Sequence, residues 1–227
     1  MYLGLALFAE GPSDHLVLRP LLRRLSESIC LRMARSVVEV SEVVELHTPE
    51  DQRGKSRADR ITAAAKEALG AWHVLFVHAD GAGDPIEAVA RNITPAISQI
   101  GAELGKDDYR GVAVVPVRET EAWALADGDA LRRALGTTLS DSDLGVPSSP
   151  SLVEKVPDPK LALVNAWKAA RGGRKGRRRS SAAVFLEPIG EQARLDRLSV
   201  VHAFRELERH LTSALRDLGF IHDTPTA

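Results

Sequence analysis

Residues 72–84 read Trp-His-Val-Leu-Phe-Val-His-Ala-Asp-Gly-Ala-Gly-Asp, and they constrain the fold more than any other stretch. The apolar and β-branched run 74–77 has the pattern of a strand buried on both faces. It passes straight into an acidic, glycine-containing turn, after which Pro85 opens a helical pattern. Two more apolar runs end the same way. Residues 3–9 lead into Glu10-Gly11, and residues 112–117 lead into Arg118-Glu119-Thr120-Glu121. In an open α/β sheet, ligands bind outside the carboxyl ends of the strands. Three acidic strand ends therefore point to one shared cation site.

The rest of the chain supplies the layers such a sheet needs. Leu18, Leu21, Leu22, Leu25 and Ile29 recur at helical spacing after the first run, with Pro20 predicting a kink or a helix start nearby. Residues 37–46 alternate in part and read as a second strand nearer an edge, and 48–60 as an exposed loop. Helices are predicted over 60–69, 85–103 and 121–135, closed by Gly70 in the first case and Gly136 in the last. The order βαβαβαβα argues for a mostly parallel sheet of about four strands with helices on both faces. After Gly136 the character changes. Residues 137–159 are rich in Ser, Asp and Pro and read as irregular; 160–171 and 199–218 are helical. The expected organisation is an α/β domain over 1–136 and a helical C-terminal appendage over 137–227.

Bulk properties narrow the class. A formal net charge of −1 over 227 residues argues against a globally basic nucleic-acid coat, but 171–179 carries six positive charges in nine residues. Within it, Arg174, Lys175, Arg177, Arg178 and Arg179 are candidate phosphate contacts, which give affinity without sequence reading; the same run would also serve as a solvated linker. A single cysteine, Cys30, excludes an internal disulfide and a Cys-rich zinc site and fits a reducing cytoplasm. No apolar run reaches the roughly 18 residues of a membrane span, and the first residues lack a signal-peptide pattern. Neither a Gly-x-x-x-x-Gly-Lys-Ser/Thr run nor a Gly-x-Ser-x-Gly elbow is present, so neither an ATPase nor an α/β-hydrolase is expected.

Carboxylates are hard oxygen ligands, and Mg²⁺ is commonly held by one or two of them. The candidates are Glu10, Asp80, Asp84, Glu119 and Glu121, with His78 beside them. Each has an ordinary alternative use. Asp84 precedes Pro85 and suits a helix N-cap; Glu119 and Glu121 suit a first helical turn; His78 could be an orienting hydrogen-bond partner. Trp123 and Trp167 sit at core spacing.

The run 3–9 with Glu10-Gly11, followed by a later strand ending at Asp80, resembles the Toprim fold of topoisomerases, primases and nucleases of the overcoming-lysogenisation-defect type. Glu10-Gly11-Pro12-Ser13-Asp14, His78-Ala79-Asp80-Gly81 and Glu119-Thr120-Glu121-Ala122-Trp123-Ala124-Leu125-Ala126-Asp127 look like a standalone bacterial Toprim-related family of unassigned function, with a weaker echo at Asp158-Pro159-Lys160. The resemblance covers most of 1–135. It implies that Glu10 is the acid/base or metal-ligating glutamate, that Asp80 belongs to the metal-binding acidic pair, and that Mg²⁺ or Mn²⁺ is the cofactor. The implied activity is nuclease-type phosphodiester hydrolysis on DNA or RNA in bacterial defence or repair. The usual pair is Asp-x-Asp, and here the first position is His78. Either Asp84 bends back to replace it, or His78 itself takes Mn²⁺, or the fold binds nucleic acid or a nucleotide without catalysis, acting with a partner ATPase. Phosphoryl transfer on a small molecule is a third reading.

Overall fold

The computed structural model of the protein describes residues 1–105, 108–172 and 182–222. Its centre is a four-stranded, all-parallel sheet in the order β2-β1-β3-β4, formed by β1 (Tyr2–Phe8), β2 (Glu39–Leu46), β3 (Val74–His78) and β4 (Arg110–Val114). The two most apolar runs, β1 and β3, pair in the middle, with Phe8 beside Val77. The partly polar β2 lies at one edge and β4 at the other. Because every pair is parallel, the carboxyl ends of all four strands open on the same side.

Alternation along the strands divides the interior into two layers. Leu3, Leu5, Leu7, Val74 and Phe76 face α1 (Pro12–Met33); Ala6, Phe8, Leu75 and Val77 face α2 (Arg57–Glu67), α3 (Pro85–Asn92) and α4 (Thr94–Leu104). The α1 layer is the larger. It also takes in α5 (Glu121–Ala124), α6 (Gly128–Leu135), α7 (Asp141–Leu144), α8 (Pro159–Ala170), α9 (Leu186–Gln192), α10 (Leu195–Leu198) and α11 (His202–Asp217). Leu163, Ile189, Phe204 and Leu211 from these helices are buried in one cluster with Leu5 and Phe76 from the sheet. Helix α9 crosses α1 at Gly190, where a Cβ would collide with the Val17 carbonyl oxygen.

Several elements differ from their sequence expectation. Helix α1 starts at Pro12 and runs through Pro20 as one element. The helix expected over 85–103 breaks at buried Ile93, two residues before Pro95, which has no N–H to continue the ladder and sits instead in the first turn of α4. The helix expected over 121–135 breaks at fully buried Asp127. Asp127 Oδ1 accepts from Asp129 N (3.0 Å) and Ala130 N (3.3 Å), starting a new helix, and Oδ2 accepts from Arg194 N (2.9 Å). Strand β4 ends at Val114, just before the nitrogen-blocked Pro116. The stretch 137–159, expected to be irregular, contains α7 and a 3₁₀ segment, Pro150–Lys155. Arg174, Lys175, Arg177, Arg178 and Arg179 lie outside the described residues. Among the described residues no helix is long and apolar enough to cross a membrane.

Candidate metal centre at the strand ends

The turn after β3 is locked onto the turn after β4. Gly81 N donates to Pro116 O (3.1 Å) and Gly83 N to Val117 O (2.7 Å). Gly81 is needed for this approach, since a Cβ there would collide with the carbonyl oxygens of Pro116 and Val117. Gly83, at φ +98°, adopts backbone that suits glycine. These contacts set Asp80 beside residues 118–121.

His78, the last residue of β3, points into the α1 layer and is fully buried. Its Nε2 is in hydrogen-bond contact with Thr120 Oγ1 at 3.0 Å and lies 3.5 Å from Asp80 Oδ1; its Nδ1 lies 3.7 Å from Asp14 Oδ2. Asp14 sits in the first turn of α1, where Oδ2 also accepts from Gly11 N (2.9 Å). One ligand atom from each of Asp14, His78 and Asp80 lies within 4.8 Å of the others, so the three form a group that could hold a metal ion. His78 Nδ1 and Asp80 Oδ1 are both shielded from solvent and lack hydrogen-bond partners among the described residues. Such atoms are costly to leave unsatisfied.

Glu10 borders this group without joining it. Its Oε2 accepts from Asp80 N at 3.4 Å, and its Oε1 pairs with Arg57 Nη1 at 3.2 Å. Arg57 donates from Nη2 to His78 O (2.6 Å) and from Nε to Asn92 O (3.1 Å), and its guanidinium sits 5.9 Å from the Phe8 ring centroid. Burial lowers the Arg57 pKa, and neighbouring Glu10 opposes that shift.

The remaining candidates surround the group. Asp84 is exposed and caps α3, accepting from Glu87 N at 3.0 Å. Glu119 Oε2 accepts from Lys160 N (3.3 Å), seating the start of α8 on the strand-end loops. Glu121 is buried, and burial pushes its carboxyl pKa up; its own backbone N–H and Lys160 oppose the shift, while Asp14 and Glu119 add to it. Trp123 lies in the core, edge-on to Phe204, whereas Trp167 is half-buried against Phe185 and under Arg171.

Asp14, Arg57 and Thr120 were not among the sequence candidates. Asp14 reads as a routine first-turn acid, and Arg57 falls in what reads as a loop. Thr120 is masked by the acids on either side of it. The available signal was helical and strand phase: Asp14 follows Gly11 by three residues, which turns it back toward the strand end.

No protein-family model, curated protein or solved structure matches this chain.

Proposed function

We propose that the strand ends hold a divalent cation and that the protein hydrolyses phosphodiesters in DNA or RNA. The observation that carries this reading is the pair of buried, unpartnered atoms, His78 Nδ1 and Asp80 Oδ1, gathered with the Asp14 carboxylate. In the tautomer that donates from Nε2 to Thr120 Oγ1, Nδ1 keeps a lone pair on the side of Asp14 Oδ2, and the hydrogen bond fixes the ring. One imidazole and two carboxylates suit Mn²⁺ better than Mg²⁺, which favours oxygen ligands. A bound ion of this kind polarises a phosphoryl oxygen and lowers the pKa of a bound water. Glu10, paired with Arg57 at the border of the group, would accept a proton from a water on that side. The Toprim resemblance supports the same chemistry with His78 in place of the first aspartate.

The test is Mn²⁺-dependent cleavage of supercoiled plasmid and of structured RNA, with Glu10→Gln and Asp80→Asn alongside the wild type. Cleavage by the wild type and loss in both variants is expected. A wild type that binds Mn²⁺ and cleaves neither substrate is instead a non-catalytic binding module.

A further inference from the structure

At the end of β3 and in the two turns beyond the strand ends, three buried polar atoms have no hydrogen-bond partner among the described residues: His78 Nδ1, Asp80 Oδ1 and Arg118 Nε. Their chemistry is of two kinds. An imidazole lone pair and a carboxylate oxygen call for a cation, whereas a guanidinium nitrogen calls for an acceptor. Neither a lone cation nor a lone anion satisfies all three.

Arg118 is half-buried and forms no side-chain hydrogen bond or ion pair among the described residues. The carboxylates near it have other partners. Glu119 Oε2 accepts from Lys160 N, and Asp158 Oδ1 accepts from Leu161 N at 2.7 Å. Asp80, Arg118, Glu119 and Asp158 line an open cavity of about 400 Å³, whose apolar wall comes from Ala82, Pro157 and Pro159. That volume falls in the range of small-molecule sites, roughly 300–1,000 Å³, and is too small for a length of duplex. A guanidinium binds phosphate through paired N–H donors, and an unengaged one beside a candidate cation site is arranged for that use.

We propose that this cavity receives the terminal phosphate monoester of a nucleotide, free or at a strand end, with Arg118 as its anion-binding side chain. The proposal rests on the cation reading above. The apolar wall lies where the attached nucleoside enters.

Adenosine 5′-monophosphate, a short 5′-phosphorylated oligonucleotide and the same oligonucleotide with a free 5′-hydroxyl would be titrated into the full chain with Mn²⁺ present. The Mn²⁺ affinity of each protein would be measured separately. The wild type should bind a phosphorylated probe and discriminate against the hydroxyl end. Arg118→Ala should weaken phosphate binding by about tenfold or more, the scale of one lost charge-assisted contact, and Arg118→Lys should restore part of it. Mn²⁺ affinity should be unchanged in both. Binding of the free nucleotide identifies a nucleotide site, and binding of the oligonucleotide alone identifies a strand-end site; either supports the shared chemistry. If Arg118→Ala and Arg118→Lys bind as the wild type does while Mn²⁺ still binds, the phosphate site is overturned and the cation reading stands. A wild type that binds no Mn²⁺ overturns both.

Discussion

Gly81 donates its N–H to the carbonyl oxygen of Pro116 at 3.1 Å, and the approach is close enough to exclude a side chain. This contact holds the β3 turn, and with it Asp80, against the β4 turn. Gly81→Ala must push the two turns apart. It should cost about 1–3 kcal/mol, the usual penalty for overpacking, and should weaken Mn²⁺ binding with it. Gly83→Ala, which meets no neighbouring atom, should cost only its backbone strain. Chemical denaturation of both variants checks the difference in mechanism: only the first should lose metal affinity.

Arg57 ties together the end of β3, the break between α3 and α4, and Glu10. Arg57→Ala leaves two carbonyls and a carboxylate without this donor. A loss of about 2 kcal/mol is expected, discounted for the partial exposure of the ion pair. Arg57→Lys should recover little of it, because an ammonium cannot match a planar fork with three directed contacts. Thermal melts of the three proteins would decide this.

A cation that binds only the folded chain stabilises it by RT ln(1 + [L]/Kd), about 2.7 kcal/mol at a hundredfold excess over Kd. For a chain of this length that corresponds to a rise in Tm of roughly 5–10 °C. Mn²⁺ should produce it and Mg²⁺ should produce less. Asp80→Asn and His78→Gln should each remove most of the rise, whereas Asp84→Asn should leave it largely intact. Equal shifts in Asp80→Asn and wild type would remove Asp80 from the cation site.

Burial pushes the Cys30 thiol pKa up to about 11, from an ordinary value of 9.0. The folded value lies above the unfolded one, so in that window the unfolded chain has lost its proton while the folded chain keeps it. Stability is therefore fully present below pH 9 and falls as pH rises from there toward about 11. Cys30→Ala should flatten this alkaline loss, at a cost of about 1 kcal/mol at neutral pH for the vacated space. In the native wild type the thiol should resist alkylation at neutral pH and react once the chain unfolds.

The sheet was legible because the runs 3–9 and 74–77 are apolar throughout and stop abruptly at Glu10 and the Asp80 turn, a pattern that suits central parallel strands. The helix break at Asp127 was not, because the apolar spacing continues across it and one of its contacts is remote, Arg194 N sixty-seven residues away; the break at Ile93 does carry a local signal, Pro95, which the continuing apolar spacing outweighed. The centre was half legible. His78 and Asp80 stand out by position at a strand end. Asp14 does not, since its place beside His78 depends on how α1 leans on the sheet. Asp84 carried a functional and a capping reading in the sequence, and its bond to Glu87 N shows the capping use.

The burial of Leu163, Ile189, Phe204 and Leu211 together with Leu5 and Phe76 has a mechanical consequence. A chain cut after Gly136 would keep α1 on that side of the sheet but bare the apolar surface that the later helices cover, and would remove the Lys160 N–H that Glu119 accepts. The strand ends and the chain beyond Gly136 therefore melt together, and a graft of the first 136 residues onto another scaffold would carry the ligands without the wall that steadies them.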